Sequence, residues 1–402
     1  MKILIILPRF PYPLEKGDKL RAYHQIRVLS SHNDIYLFAL SHTKVRQEDL
    51  VQMEKYCKRI CVARISGISA FAHVVKNFFL CRSLQIGCWE SRAAKRKYAA
   101  FESETQPDIV YAQMVRTMIY PAHSKLPKVL DFQDALSMNT ERKMLVSRGF
   151  NYFLLHFEFK MLRSAEFTAC NIFDATTIIS ETDRDAIPRS KDKEVEVVAN
   201  GVDFDYFRPI EVEKEYDVVF CGNMQYKPNV DAVIYLVNDI MPVVWKTNPD
   251  SKVLIAGATP TASIRALAND RVEVTGTVDD IRKCYAQSKI FVAPMRLGSG
   301  LQNKLLEAMS MRVPCVTTSI ANSALGAENG RNILIGDNVE ELSRAILSLM
   351  KNDELRVSVT DSAERFVHDN FAWDKAVEPL ERILHSIVEK HVENGKQSVE
   401  DK

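Results

Sequence analysis

Ile290-Phe291-Val292-Ala293-Pro294-Met295-Arg296-Leu297-Gly298-Ser299-Gly300-Leu301-Gln302-Asn303-Lys304-Leu305-Leu306-Glu307-Ala308-Met309 says most about this chain. The first four residues are an apolar run that reads as a buried strand, and the later part opens a helix. Gly298 and Gly300 lie in the turn between them, where a missing side chain lets backbone approach a ligand. The start of a helix offers unpaired N–H groups and the positive end of a dipole. The turn through Ser299, Gly300 and Leu301 is therefore a natural seat for phosphate. Arg296 adds a cation beside it. Lys304 and Glu307 follow three residues apart, a spacing that puts them on one helix face. Glu307 suits a sugar hydroxyl as its hydrogen-bond acceptor. A diphosphate with a ribose attached matches this set of groups.

The same alternation of short β-branched runs and longer amphipathic stretches fills nearly the whole chain. Strands are expected at Ile3–Leu7, Ile35–Leu40, Cys61–Ile65, Ile109–Ala112, Val129–Phe132 and Thr176–Ile179 in the first half. In the second half they fall at Val218–Cys221, Val253–Ala256, Val272–Thr275, Ile290–Ala293, Cys315–Thr317 and Ile333–Ile335. Runs of this length separated by helix-length segments imply parallel sheets covered on both faces. Two successive sheets give an α/β chain of two doubly wound domains facing a central cleft, with ligands beyond the carboxyl ends of the strands. The expected layout is residues 1–199, a linker at 200–215, a second domain at 216–370, a terminal helix at 371–392 and a flexible tail at 393–402. Trp373, Val377, Leu380, Leu384 and Ile387 form that helix's apolar stripe.

Composition narrows the class. The chain of 402 residues is long for one core, and 46% apolar with 26% charged residues is usual for a soluble globular protein. A balance of 53 basic to 52 acidic side chains argues against nucleic acid as a partner. Eight cysteines are scattered, and neither they nor the nine histidines show zinc spacing. They read as reduced thiols in a cytoplasmic protein. The apolar run Ile3–Leu7 is too short for a secretory signal, and no stretch is long enough to span a membrane.

Further candidates each have a structural alternative. Gly222, Asn223 and Lys227 sit where a strand enters a helix and suit a phosphate; alternatively this is a tight turn with Asn229 as its N-cap. Asp134 at the end of another strand suits orienting an acceptor hydroxyl or taking its proton, or else it, Asp131 or Ser137 caps the next helix. Asp131 reads as structural, inside the strand. Gly17 and Arg21 lie in a long proline-rich loop that would line the cleft. Between Lys76 and Lys97 there are six basic residues and one acidic, with Phe78, Phe79, Leu80 and Trp89 among them. This mix suits a contact with anionic headgroups, or an ordinary helical face with solvated charges.

These residues resemble glycosyltransferase family 4, a retaining group with the GT-B fold of two Rossmann-like domains. The resemblance rests on Gly222-Asn223-Met224 with Pro228-Asn229, Asn200-Gly201-Val202-Asp203, Gly298-x-Gly300 through Glu307, and Phe371-x-Trp373. It implies an acceptor-binding first domain, a second domain that holds a nucleotide sugar, a last helix returning to the first domain, and no metal or other cofactor. Within the group the chain is most similar to bacterial members that build polysaccharides. Four positions depart from the pattern. Of the usual pair of glutamates eight residues apart, only Glu307 is present, with Ser299 at the other place. The usual Arg and Lys after the donor domain's first strand fall on Asn223 and Pro228, which leaves Arg296, Lys304 and Lys227 to supply cation. The usual His-Asp of the acceptor domain falls on Gln133-Asp134. The resulting expectation is transfer of sugar from a nucleotide-diphosphate sugar, UDP first, to a glycan or glycolipid hydroxyl. Asp134, Glu307, Lys304 and Arg296 would be catalytic, and Gly17, Arg21 and Gln133 would serve the acceptor. The expected place is the cytoplasm, at the inner face of the plasma membrane; the alternatives are a nucleotide-sugar epimerase and a catalytically silent membrane-associated binding subunit.

Overall fold

The computed structural model describes residues 1–14, 17–144, 147–297 and 300–400. Internal contacts gather the chain into two compact units, Met1–Ala199 with Ala376–Lys402, and Asn200–Lys375.

Unit 1 is built on seven strands: β1 (Lys2–Leu7), β2 (Asp34–Ser41), β3 (Arg59–Arg64), β4 (Ile109–Gln113), β5 (Lys128–Asp131), β6 (Ala175–Ile178) and β7 (Val195–Val197). Their order is β3-β2-β1-β4-β5-β6-β7, and every pairing is parallel. At the centre Ile3 is in register with Ile35 on one side and Ile109 on the other. Ile3, Leu4, Ile5 and Ile6 are all buried, so both faces of β1 are covered, which is why its sequence does not alternate.

Unit 2 has six strands: β8 (Tyr216–Cys221), β9 (Val253–Ala256), β10 (Val272–Gly276), β11 (Ser288–Ala293), β12 (Cys315–Thr317) and β13 (Leu334–Ile335). They run β10-β9-β8-β11-β12-β13, again all parallel. All twelve expected strands are present to within two residues at either end. The thirteenth, β7, is a three-residue edge strand whose single Glu between two valines carries too little pattern to read.

In each sheet the winding reverses next to the first strand, between β1 and β4 in unit 1 and between β8 and β11 in unit 2. Chain connections diverge there and leave a crevice at the carboxyl ends of those strands, where ligands bind in this class of fold.

Two expected boundaries shift. Residues 200–215 are not a free linker, because backbone and side chains stitch them to unit 2. Val202 pairs with Ala372 and donates its N–H to Phe371 O at 2.7 Å. Phe204 stacks on His368 with ring centroids 3.7 Å apart, and Lys214 Nζ donates to Ser288 O at 2.7 Å. Gly201 has to be glycine, since a Cβ there would lie 2.7 Å from Trp373 Cα. The last helix spans Trp373–Glu400, so residues expected as a flexible tail continue it; they are rich in Glu, Lys and Gln, which favour helix. Trp373, Val377, Leu380 and Leu384 of the expected stripe are buried.

Candidate active site

In unit 2 the crevice is bordered by turns that need glycine. Gly257, directly after β9, has φ +145°, and a Cβ on it would fall 1.7 Å from Gly222 O. Gly222 follows β8 and passes so close to Asn229 that its own Cβ would lie 2.7 Å from Asn229 Nδ2. The first is a close backbone approach that only glycine permits. Gly257→Ala is therefore expected to cost unit 2 about 2 kcal/mol or more, through strain and displaced backbone. A Cβ at Gly17 would meet nothing within 4 Å, so Gly17→Ala serves as the neutral control. Equal thermal midpoints for the two variants would contradict this packing.

Asn229 is not an N-cap. It is the third residue of the helix Lys227–Tyr235 and joins three parts of the site. Its Nδ2 donates to Asn223 O at 3.0 Å, and its Oδ1 accepts from Lys304 Nζ. The Lys304 ammonium also lies 4.8 Å from the centroid of the Phe220 ring and 3.9 Å from Met295 Sδ. Burial lowers its pKa to about 8, against the opposing pull of Glu307. Glu307, one turn on, accepts from the Tyr285 hydroxyl at 2.8 Å, and burial raises its pKa. Lys304 and Glu307 belong to the helix Asn303–Ser310, which starts with no side-chain cap among the described residues. Its first N–H groups and a buried ammonium thus flank one end of the crevice, an arrangement suited to a polyanion.

Arg296 is not the free cation expected. It makes a two-pronged pair with Asp231, at 2.7 and 3.0 Å, and lies 4.2 Å over the Tyr235 ring, so its charge is already balanced. Lys227 stands exposed in the first turn of its helix, and Asn223 forms an Asx turn with Gln225 N at 2.9 Å. Gly300 and Leu301 precede the uncapped helix. Gly298 and Ser299 lie outside the described residues.

In unit 1 the reversal point is filled by a buried polar network. Arg21 Nε donates to Asp131 Oδ2 at 2.7 Å, with both side chains fully buried. The Tyr111 hydroxyl reaches Asp131 at 3.0 Å, and Gln113 Nε2 reaches Gln25 at 2.5 Å. Gln133, held at φ +62°, donates its side-chain amide to Gln113 Oε1 at 3.0 Å. Arg21 and Gln133 were expected at the acceptor. Instead they are buried in this network, and their polar atoms are directed inward.

Asp134 differs. Its side chain reaches solvent at the carboxyl end of β5, and its carboxylate has no hydrogen-bond partner among the described residues. The next helix, Leu136–Met144, is capped from elsewhere: Asp183 accepts from Ala135 N at 3.2 Å and Glu166 from Ser137 N at 2.9 Å. Crowding by protein atoms, with Asp183 and Asp131 nearby, raises the Asp134 pKa to about 6. Beyond the ends of β1 and β2 a cavity of about 530 Å³ is lined by Tyr12, Lys19, His42, Lys44 and Trp89 among others.

Comparison with known proteins agrees with this geometry. Residues 215–352 match the family profile of glycosyl transferases group 1. The fold of the whole chain matches an Anabaena protein crystallised with UDP and glucose, with a TM-score of 0.66, 13% identity, and coverage of 96% of this chain and 100% of that one. Together the matched domain and the paired sheets decide the class. The chain is a GT-B glycosyltransferase. A Klebsiella pneumoniae protein described only as an uncharacterised 44.6 kDa protein in the cps region is 25% identical over 92% of this chain and 96% of its own length. A lipopolysaccharide core biosynthesis mannosyltransferase of Rhizobium leguminosarum is 25% identical over 48% of this chain and 60% of its own.

The sequence reading of this transferase passed over Gly257, Gln113 and the cavity residues Tyr12 and His42, and took Trp89 for a headgroup contact. The signal for the first two was position, because each ends or directly follows an expected strand at the end where ligands bind. Nothing local to the cavity residues marked them as neighbours.

Proposed function

We propose that this transferase moves a glycosyl group from a nucleotide-diphosphate sugar, UDP-sugar first among the candidates, to a hydroxyl of a growing glycan or glycolipid, with retention at the anomeric carbon as in family 4. The observation that carries the reading is the Lys304 ammonium, held at the reversal point of the unit 2 sheet beside a glycine turn and an uncapped helix start. As the glycosidic bond breaks, negative charge grows on the leaving diphosphate. Preorganised donors stabilise it there most strongly because the site is partly desolvated. Glu307, oriented by Tyr285, holds a hydroxyl of the nucleotide ribose or of the donor sugar. No metal or other cofactor is part of this scheme. The names of the relatives support a cell-surface polysaccharide as the destination: one lies in a cps region and another acts in lipopolysaccharide core synthesis. UDP as the nucleotude is supported by the Anabaena neighbour.

The test is incubation with a panel of nucleotide sugars and bacterial glycolipid extract, followed by NMR of the product's anomeric proton. A product with the donor's configuration is expected. An inverted product would overturn retention, and no product with any donor would overturn the transfer itself.

In unit 1, Asp134 is the group suited to take the acceptor proton. Only its ionised form does so, and its raised pKa means that turnover should fall as pH drops through about 6. Asp134→Asn should abolish that limb and most of the activity. An acidic limb unchanged in the variant would contradict this assignment.

A further inference from the structure

The helix Gly67–Phe79 is turned inside out. Ile68, Phe71, Val75 and Phe79 recur at helical spacing on one face, and that face points away from the protein, with Ile68 86%, Phe71 71% and Phe79 78% exposed. The inward side is mixed, with Ser69, Ala70, His73 and Val74 half-buried and Ala70 packed on the core. Asn77 is buried and its Nδ2 donates to Ser83 O at 3.3 Å, while Gly87 packs so tightly there that a Cβ would lie 2.8 Å from Asn77 Nδ2. A second exposed apolar group adjoins. Phe150, Tyr152 and Phe153 project from the first turns of the helix Gly149–Ile172, and Phe157 of that helix meets Phe78 at 5.2 Å between ring centroids. An apolar surface of this extent marks a contact with something else.

Charge indicates what covers it. Residues 66–101 and 142–165 contain two acids, Glu90 and Glu158, and both are buried. Glu90 pairs with Lys95 at 3.1 Å and Lys76 at 3.5 Å. Glu158 accepts from Ser83 Oγ at 2.6 Å and Leu84 N at 2.7 Å. Every exposed formal charge in these stretches is therefore positive, Arg82, Arg148 and Lys160 among them. A second copy of the chain would bring like charge against like. Anionic headgroups above an acyl layer complement both properties at once.

We propose that the outward face of the helix Gly67–Phe79, with the first turns of the helix Gly149–Ile172, seats this protein on an anionic lipid surface. This relocates the contact expected at Lys76–Lys97, because Trp89 of that stretch is buried. No helix among the described residues is long and apolar enough to cross a membrane, and this contact is superficial. The inference stands apart from the assignment of donor and acceptor groups.

The test is sedimentation of the full chain with phosphatidylcholine vesicles, with and without phosphatidylglycerol. Binding is expected to the anionic vesicles only, and added salt should release it. Phe71→Ser with Phe79→Ser, both exposed, should weaken binding at least tenfold at an unchanged thermal midpoint. Arg82→Gln with Arg148→Gln should weaken it on anionic vesicles. The proposal is overturned by absence of binding to anionic vesicles, or by undiminished binding of the serine variant. It is overturned equally by lipid-free self-association or binding of an acidic protein that the serine variant abolishes while vesicle binding is absent.

Discussion

Lys304→Met should lower kcat/KM about 10²–10³-fold, the usual effect of removing one preorganised donor from a site of developing negative charge. Methionine keeps most of the length and the apolar stem, so the contact with Phe220 survives and the fold should hold. What is lost is the charge donated towards Asn229 and towards any anion at the helix start. The sign of the pH dependence follows from the same burial. The lysine pKa is lowered to about 8, so in the free protein the cation is present below that pH and lost above it. A bound diphosphate favours the charged form and raises the pKa again. Donor binding above pH 8 should therefore take up a proton, detectable as a buffer-dependent heat in calorimetry. The methionine variant should show neither the uptake nor the decline of kcat/KM above pH 8. Normal turnover in Lys304→Met would remove the residue from the mechanism.

Asp131→Asn should be the most destabilising single change in unit 1. Asp131 and Arg21 are both fully inside, 2.7 Å apart, and the carboxylate also holds the Tyr111 hydroxyl and the Gln133 N–H. Neutralising Asp131 takes away the carboxylate that faces the buried guanidinium, at a cost of about 3–5 kcal/mol. That is a large share of the roughly 5–15 kcal/mol that stabilises a typical domain. The double variant Arg21→Met with Asp131→Asn should lose less than the sum of the single losses, because the two side chains interact directly. Denaturant unfolding of the four proteins measures this coupling. Strict additivity would mean that the pair is not coupled as the geometry requires.

The contrast between these two residues shows what was legible in the sequence. Apolar runs between helix-length segments announced both sheets, since a parallel strand covered on two faces has no choice but to be apolar throughout. The helix that carries Lys304 and Glu307 was legible because its apolar residues recur at helical spacing. Arg21 was misread because burial of an arginine depends on a partner, Asp131, that lies 110 residues away. The pairing of Arg296 was hidden for the same reason, with Asp231 out of local view. Gln113 and Gln25 carried no mark at all, as a glutamine reads the same in a core network as on a surface.

Unit 2 is expected to bind a nucleoside diphosphate through Lys304. Calorimetric titration of UDP, GDP, ADP and dTDP without added metal, into the wild type and into Lys304→Met, tests it most directly. One nucleotide is expected to bind, with an affinity at least tenfold lower in the variant. Equal affinity in both proteins would contradict the role of Lys304, and no binding by any of the nucleotides would contradict the claim as a whole.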